Sequence, residues 1–319
     1  MRVAVDAMGG DHAPRAVVSG CLQAARDEPE LEILLVGRRE PVAAEIDAQG
    51  GAKNISVVDA GEAVPMDEPP VEALKRRPDA SILQALRLVG RGEADAVVSA
   101  GSTGATVAAA LLTLKALPGV GRPGIAVPLP SRNRRGVCLL LDAGANPDSR
   151  AQHLRQYAFM GVNYYRRAYG VESPRVALIS MGEEEHKGTR LTREVTGLLR
   201  GSPLEFVGNV EARGLFGGAC EVAVADGFVG NLILKTVEGL GELLLAKLGE
   251  SLAQSIAREI DYAEFGAAPL LGVDGCVMIC HGRSRERAIA NAIRAAVRVV
   301  GQRVHESILD GLEIQEARP

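Results

Sequence analysis

Acidic side chains, glycines and a histidine crowd the end of the first apolar run in this sequence. The stretch VAVDAMGGDHAP, at positions 3–14, passes from a predicted strand to Asp6, a pair of glycines, Asp11 and His12. A simple turn from strand to helix needs only one flexible residue and one capping side chain. The surplus of polar groups predicts a loop that binds a ligand.

Five other apolar runs end in the same way. SAGSTGAT, at 99–106, sets two glycines around Ser102 and Thr103 ahead of an alanine-rich segment. Backbone N–H groups and the positive end of a helix dipole could bind an anion there, although an ordinary helix cap is the alternative. The other stretches are DAGANPD (142–148), MGEEEHKGT (181–189), DGFVGN (226–231) and CHG (280–282).

No motif for covalent or metal chemistry accompanies these stretches. The sequence lacks a G-x-S-x-G elbow, an H-E-x-x-H pair, a nucleotide P-loop and an EF-hand loop. We therefore expect chemistry that relies on a bound anion and positioned dipoles, without a metal or other cofactor. Lys187 could hold phosphate. The alternative is that the acidic residues of 181–189 only complement the dipole of the helix that follows. His281 and His12 could move a proton, or could be satisfied structural histidines.

The apolar runs alternate with helical patterns along the chain. Several are apolar throughout, as expected for strands covered by helices on both faces of a sheet. The alternation predicts an α/β/α layered fold with a mostly parallel sheet, and such folds bind ligands at the carboxyl ends of strands. The predicted strands are 2–6, 31–37, 55–60, 94–100, 124–129, 136–142, 175–180, 221–226 and 276–282. The predicted helices are 14–27, 81–91, 103–117, 152–169, 189–200, 231–248 and 286–307, and 64–81 is predicted to be a long loop with a short helix.

Composition excludes several classes of function. A net charge of −4 and 3% aromatic residues provide neither a basic surface nor stacking side chains for nucleic acid. Five cysteines without CxxC spacing predict structural thiols in a reducing cytosol. The sequence shows no signal peptide and no run of about 18 apolar residues. We expect a cytoplasmic protein that forms one domain over 1–319, with two closely packed lobes as the alternative.

Taken in order, the strand-end motifs resemble those of the phosphate acyltransferase family of bacterial phospholipid synthesis. The match is collinear from Val3 to about Val297. Each motif alone is moderately specific, and their common order makes coincidence implausible. The motifs are AVDAMGGDHAP, MDEPPVEALKRRPDAS, DAVVSAGSTGA, LLLDAGAN, MGEEEHKGT, VGNVEARGLF, DGFVGNLILKTVEG, DYAEFGAAPLLGVDG and HGRSRERAIANAIR.

The resemblance implies an enzyme that transfers a long-chain fatty acyl group from acyl carrier protein to inorganic phosphate, giving acyl phosphate. It also implies a Rossmann-like three-layer fold related to phosphotransacetylases and isocitrate-type dehydrogenases, and assembly as a homodimer. The product would pass to a membrane glycerol-3-phosphate acyltransferase, through which the protein could associate with the membrane. Phosphate would itself be the nucleophile, so no activated serine or cysteine is needed.

On this interpretation the strand-end residues have two kinds of role. The candidates for catalysis are His281, Asp6, Asp226, Lys187 and His12. The candidates for binding phosphate or the acyl substrate are Gly9, Gly10, Asp11, Ser99, Gly101, Ser102, Thr103, Gly104, Asp142, Asn146, Gly182, Glu183, Gly227 and Asn231. Three basic clusters, 75–77, 131–135 and 283–287, could dock the acidic carrier protein.

The sequence departs from the family pattern at a few positions. Ser102 replaces an expected asparagine, and Ala143 and Ala267 replace an expected leucine and glycine. Members of the family carry a longer helical hairpin, with an amphipathic tip that contacts the membrane, where this chain has only a short one near 231–260. Few basic residues lie in that segment, so packing in the core or in a dimer is favoured over insertion into lipid.

Three other interpretations stay open. A decarboxylating dehydrogenase of the same fold class would need a nucleotide site and metal-binding aspartates that the sequence lacks. A phosphotransacetylase that uses short acyl-CoA would differ in chain length and carrier. A non-catalytic scaffold for the carrier protein would bind it without turnover.

Overall fold

The computed structural model describes residues 1–65, 67–247 and 266–316. The strands, in chain order, are β1 (Arg2–Asp6), β2 (Glu32–Gly37), β3 (Ile55–Asp59), β4 (Ala96–Ser99), β5 (Gly124–Pro130), β6 (Val137–Leu141), β7 (Val176–Ile179), β8 (Phe206–Val210), β9 (Val222–Val224), β10 (Ala268–Leu271) and β11 (Cys276–Ile279). The helices are α1 (Arg15–Asp27), α2 (Arg39–Ala48), α3 (Pro70–Arg76), α4 (Ser81–Gly90), α5 (Thr103–Thr113), α6 (Ala151–Tyr169), α7 (Arg190–Arg200), α8 (Arg213–Gly217), α9 (Gly227–Lys247), α10 (Glu286–Gly301) and α11 (Val304–Glu316). The chain divides into two compact units, Met1–Ala116 with Tyr262–Gly301 and Leu117–Asp261 with Gln302–Pro319.

The first unit is built on a sheet with the strand order β3-β2-β1-β4-β11-β10. Neighbouring strands are parallel except β10 and β11, which run antiparallel. Consecutive residues Val3, Ala4 and Val5 are at most 1% exposed, so both faces of β1 are covered. The register aligns Ile279 with Ser99, and the chain segments that follow β1, β4 and β11 therefore emerge at one edge of the sheet.

One apolar cluster fills one side of this sheet, and α1 and α10 supply much of it. Leu22 of α1 and Ile289 of α10 are almost completely buried in this cluster together with Val3 of β1. Gly20 allows the two helices to approach closely. A methyl group at Gly20 would lie 2.6 Å from the Glu286 carbonyl oxygen and 2.6 Å from the Ile289 Cβ.

The second unit has a sheet with the strand order β5-β6-β9-β7-β8. It is parallel apart from the antiparallel pair of β5 and β6. Helix α6 packs on this sheet and buries Tyr157 and Tyr165 completely. The Arg175 guanidinium makes paired hydrogen bonds of 3.0 and 2.8 Å to the Glu221 carboxylate, and so joins the segments that precede β7 and β9.

The predicted fold class, an α/β fold with a mostly parallel sheet, is confirmed. All the predicted strands are present, with bounds within three residues of those expected. Strands β8 and β10 are not predicted by the sequence, and each contains a residue that weakens a strand pattern. Gly208 of β8 has a φ of 100° beside a shift in register, and β10 includes Pro269.

The predicted helices need more correction than the strands. The expected single helix 286–307 is wrong, because Arg303 has a φ of 53° and separates α10 from α11. Helix α9 begins at Gly227 rather than at Asn231, and α2 and α8 are absent from the prediction. The predicted hairpin near 231–260 is described only as far as Lys247, so its second helix lies outside the described residues. Within the described ranges, no helix is long and apolar enough to cross a membrane.

We expect Gly20→Ala to lower the free energy of unfolding by about 1–3 kcal/mol, because the added methyl group overlaps α10. Gly301→Ala is the matched control, since a methyl group at that exposed end of α10 meets nothing within 4 Å. It should be neutral or stabilising by up to about 1 kcal/mol. Chemical denaturation followed by circular dichroism measures both, and an unchanged midpoint for Gly20→Ala would contradict the close packing.

Candidate active site

The Asp6 carboxylate lies at the carboxyl end of β1, where the residue is only 3% exposed. Its Oδ2 accepts a 2.8 Å hydrogen bond from the Ser99 hydroxyl at the end of β4, and its Oδ1 accepts a 3.3 Å bond from the Met8 N–H. Burial raises the pKa of Asp6, and nearby hydroxyl and amide groups, foremost the Ser81 hydroxyl, oppose that rise. Ser81 is completely buried beside the carboxylate, although its hydroxyl makes no hydrogen bond of normal geometry.

Ser99 links Asp6 to the loop 99–104. The same hydroxyl that donates to Asp6 accepts a 3.1 Å hydrogen bond from the Gly101 N–H. A methyl group at Gly9 would lie 2.6 Å from the Asp6 Oδ2 and 2.7 Å from the Gly101 nitrogen, so only glycine fits between the two loops. The Gly101 N–H is therefore used inside the protein.

A third loop reaches the same edge of the first unit. Gly10 has a φ of 104°, a conformation that favours glycine. Asp11, which is exposed, donates its N–H to the Gly282 carbonyl oxygen at 2.9 Å. The loops after β1 and β11 are thus joined by a backbone hydrogen bond.

Two histidines border these loops. The Nδ1 of His281 accepts a 3.2 Å hydrogen bond from the Arg283 N–H, so a neutral His281 carries its proton on Nε2. His12 is half-buried, and its carbonyl oxygen accepts the Ala16 N–H at the start of α1. His281 therefore has a defined orientation and tautomer, which a proton-transfer group requires.

The amino end of α5 presents backbone N–H groups that no described residue uses. Ser102 caps the helix, because its Oγ accepts a 3.4 Å hydrogen bond from the Ala105 N–H. The N–H groups of Ser102, Thr103 and Gly104 make no hydrogen bond to the described part of the chain, and Thr103 and Gly104 are exposed. Such groups at the positive end of a helix dipole suit the oxygens of a phosphate.

In the second unit Asp142, which directly follows β6, is fully buried and accepts five hydrogen bonds. Its Oδ1 accepts from the N–H groups of Ile125, Gly144 and Ala145 at 3.0, 3.0 and 2.9 Å. Its Oδ2 accepts from the backbone and side-chain amides of Asn146 at 2.8 and 3.2 Å. Burial raises the pKa of Asp142, and these N–H groups oppose the rise. Because these five donors come from its own loop and from β5, the Asp142 carboxylate holds the loop in one conformation.

The start of α9 packs against this loop. The Asp226 Oδ1 accepts hydrogen bonds of 3.0 Å from the N–H groups of Phe228 and Val229, so Asp226 caps the helix. Gly227 donates its N–H to the Asn146 carbonyl oxygen at 2.9 Å, and a methyl group there would clash with that same backbone. Asn231, one turn into the helix, is exposed.

Lys187 is already paired in the structure. Its Nζ lies 2.8 Å from the Glu184 Oε2, and both side chains are largely exposed. The pairing raises the pKa of Lys187. Gly182 is buried beneath the Lys187 side chain, whereas Glu183 is exposed. The lysine charge is thus matched by a neighbouring acid.

In the second unit, the loops that carry Asp142, Asn146 and Gly227 contact one another, whereas Gly182, Glu183 and Lys187 belong to the separate loop that follows β7. The contacts of the predicted site residues with substrates stay predictions. Two residues that the sequence does not single out lie against members of the predicted set. Ser81 faces Asp6, and the Tyr157 hydroxyl accepts a 2.9 Å hydrogen bond from the Asn146 side chain. The only sequence signal for Ser81 is its place at the start of a predicted helix, and Tyr157 has none.

Two solved structures share the fold of this chain. The phosphotransacetylase from Streptococcus pyogenes matches 94% of this chain and 94% of its own, with a TM-score of 0.62 and 20% identity. The EutD phosphotransacetylase from Staphylococcus aureus matches 93% of this chain and 94% of its own, with a TM-score of 0.60 and 18% identity. At this level of identity the likeness shows a shared fold, that of the phosphotransacetylases.

Sequence similarity identifies the family. The model of a family described as fatty acid synthesis protein matches residues 1–307. The phosphate acyltransferase of Desulforamulus reducens is 46% identical over an alignment of 328 positions, which covers 98% of each chain. That of Myxococcus xanthus is 48% identical over 315 residues, covering 93% of this chain and 89% of its own. This chain belongs to the phosphate acyltransferase family, as its motifs predict, and is an acyltransferase for which phosphate is a substrate.

We expect Asp142→Asn to lower the free energy of unfolding by about 2–4 kcal/mol, because its amide group would face N–H donors and leave some of them unsatisfied. Asp226→Asn is the matched control, since asparagine caps a helix about as well as aspartate. Thermal unfolding measures both variants. An equal effect in the two would show that the hydrogen bonds to Asp142 do not stabilise its loop.

Proposed function

We propose that this enzyme transfers a long-chain fatty acyl group from acyl carrier protein to inorganic phosphate, and that the acyl phosphate enters glycerophospholipid synthesis. The proposal is carried by the N–H groups of Ser102–Gly104, which no residue in the described part of the chain uses, in a member of the phosphate acyltransferase family. These groups and the dipole of α5 suit an inorganic phosphate. The proposal includes a cytoplasmic homodimer that delivers its product to a membrane glycerol-3-phosphate acyltransferase.

The proposed reaction uses a bound nucleophile instead of an activated side chain. A phosphate oxygen attacks the thioester carbonyl carbon, a C–O bond forms, and the C–S bond breaks when the tetrahedral intermediate collapses. The leaving thiolate takes up a proton. The attacking hydrogen phosphate supplies this proton, which it loses as the C–O bond forms. His281 is our first candidate for donating a hydrogen bond to the thiolate, because the Arg283 N–H fixes the ring and places the proton of the neutral ring on Nε2. His12 is the second candidate.

Phosphate-dependent release of the carrier thiol from long-chain acyl carrier protein tests the proposal. We expect release only when phosphate is present, with one acyl phosphate formed for each thiol. Faster turnover of acetyl-CoA would favour a short-chain phosphotransacetylase. Binding of the carrier protein without thiol release from either substrate would favour a scaffold.

We expect Thr103→Pro to raise the KM for phosphate about ten-fold or more, because it removes one N–H that would contact the anion. Proline is well tolerated at the first position of a helix, and Ser102 already has the extended ψ of 123° that a following proline requires. Thr103→Ala is the control, since it removes the same hydroxyl and retains the N–H. Equal phosphate KM values in the two variants would exclude the Thr103 N–H from the phosphate site.

Two of the three basic clusters are poorly placed for docking the carrier protein. In the cluster 75–77, Arg76 and Arg77 are 2.6 and 2.7 Å from the Glu68 carboxylate, which offsets part of their charge. The cluster 131–135 lies in the turn between the antiparallel strands β5 and β6. Because β6 is parallel to β9, that turn is at the opposite edge of the sheet from the loops that follow β6 and β9.

The cluster 283–287 is better placed. It follows β11 directly after His281, and Arg283, Arg285 and Arg287 are all exposed. An acidic partner that docked there would lie beside a strand-end loop of the first unit. We therefore propose this cluster as the docking site for the carrier protein.

We expect Arg285→Glu to raise the KM for long-chain acyl carrier protein about five-fold at low salt, because it reverses a docking charge. Turnover of the same acyl group on pantetheine, which lacks the acidic protein, should not change. Arg134→Glu, exposed in the 131–135 turn, is the control and should have no effect on either substrate. If Arg134→Glu alone weakens use of the carrier protein, docking is at the other edge.

A further inference from the structure

We propose that Asp6 and Ser99 are positioning residues for phosphate. Together they would hold the loop 99–104 in the conformation that directs the N–H groups of Ser102, Thr103 and Gly104 away from the protein. The inference rests on the proposed function, because it assigns those N–H groups to phosphate. It gives neither Asp6 nor Ser99 a contact with substrate.

The directions of the two hydrogen bonds made by the Ser99 hydroxyl are fixed. A carboxylate can only accept and a backbone N–H can only donate. The Ser99 hydroxyl, which contacts both, therefore donates to Asp6 at 2.8 Å and accepts from Gly101 at 3.1 Å. Asp6 and Ser99 are 3% and 1% exposed, so little water competes for these bonds.

These hydrogen bonds control how the chain enters α5. Gly101 directly precedes Ser102, so the orientation of its amide sets the direction in which the chain enters α5. Glycine has the widest choice of backbone conformations and no side chain that packing could hold. The hydrogen bond from the Gly101 N–H to Ser99 is therefore the contact that restricts this residue.

The Asp6 carboxylate has no partner of opposite charge in the described part of the chain. Within the described ranges, no lysine or arginine forms an ion pair with it. A buried carboxylate is costly unless donors are directed at it. The groups that face it are the hydroxyls of Ser99 and Ser81 and a backbone amide of its own loop. Gly9 is packed between the carboxylate and the Gly101 nitrogen. The carboxylate thus contacts both loops at the point where they meet.

The test compares phosphate KM, thioester KM and kcat in Asp6→Asn, Ser99→Ala and the double variant. We expect each single variant to raise the phosphate KM about ten-fold, because phosphate must then order the loop, with thioester KM unchanged and kcat within about three-fold at saturating phosphate. The double variant should be no worse than either single one, since both changes break the same connection. Ser99→Ala is the smaller change and keeps the test decisive if Asp6→Asn does not fold.

Ser81→Ala is the matched control. Ser81 is as buried as Ser99, and its hydroxyl faces the same carboxylate and opposes the rise in its pKa. Among the described residues, however, no hydrogen bond connects Ser81 to Gly101, so Ser81→Ala leaves the connection through Ser99 intact. Its phosphate KM should equal that of the unaltered protein. A similar rise in phosphate KM for Ser81→Ala would show a general loss of packing around Asp6 and would overturn the proposal.

The outcomes separate this inference from the proposed function. If the unaltered protein shows no phosphate-dependent thiol release, the proposed function itself fails. If the unaltered protein turns over and both single variants retain its phosphate KM, only the positioning role fails. Multiplicative effects of the two substitutions, or a loss confined to kcat, would likewise contradict a shared role in positioning phosphate.

Discussion

Each unit of this protein depends on a buried carboxylate whose charge is met by hydrogen-bond donors of the loops around it. Asp6 is contacted by the Ser99 hydroxyl and the Met8 N–H, and Asp142 by five N–H groups. Removing a carboxylate from water is costly unless donors replace the lost hydration. Apart from Ser99 and Ile125, which lie in β4 and β5, the donors belong to the loops that follow β1 and β6. These loops are therefore ordered by the same interaction that keeps the charge buried.

Ordered loops of this kind suit a reaction in which an anion is the nucleophile. Phosphate must be bound and oriented near a thioester carbonyl, and preformed N–H groups do this without reorganising during the reaction. Lys187, which lies beside the strand-end Gly182, is paired with Glu184. In the proposed phosphate site, the N–H groups of Ser102–Gly104 and the dipole of α5 supply positive potential.

Much of the fold and part of the site can be predicted from the sequence. The buried strands are predicted because uninterrupted apolar runs between turn residues leave few alternatives. The loops at their ends are predicted because glycine and capping residues have local conformational roles. The prediction misses strand β8 because Gly208 is not typical of a strand. It misses the break between α10 and α11 because Arg303 adopts a left-handed conformation that its residue type does not favour.

The sequence by itself determined the family, the parallel sheet and the set of strand-end loops, because each depends on local patterns of residues along the chain. Only the tertiary structure decided which side chains remain available to a ligand. Ser99 contacts Asp6 across 93 positions of sequence, and Asp142 is occupied by donors that include Ile125 of a different strand. These pairings depend on strand register and on how the loops pack, and no local pattern of residues specifies a hydrogen bond between segments so far apart.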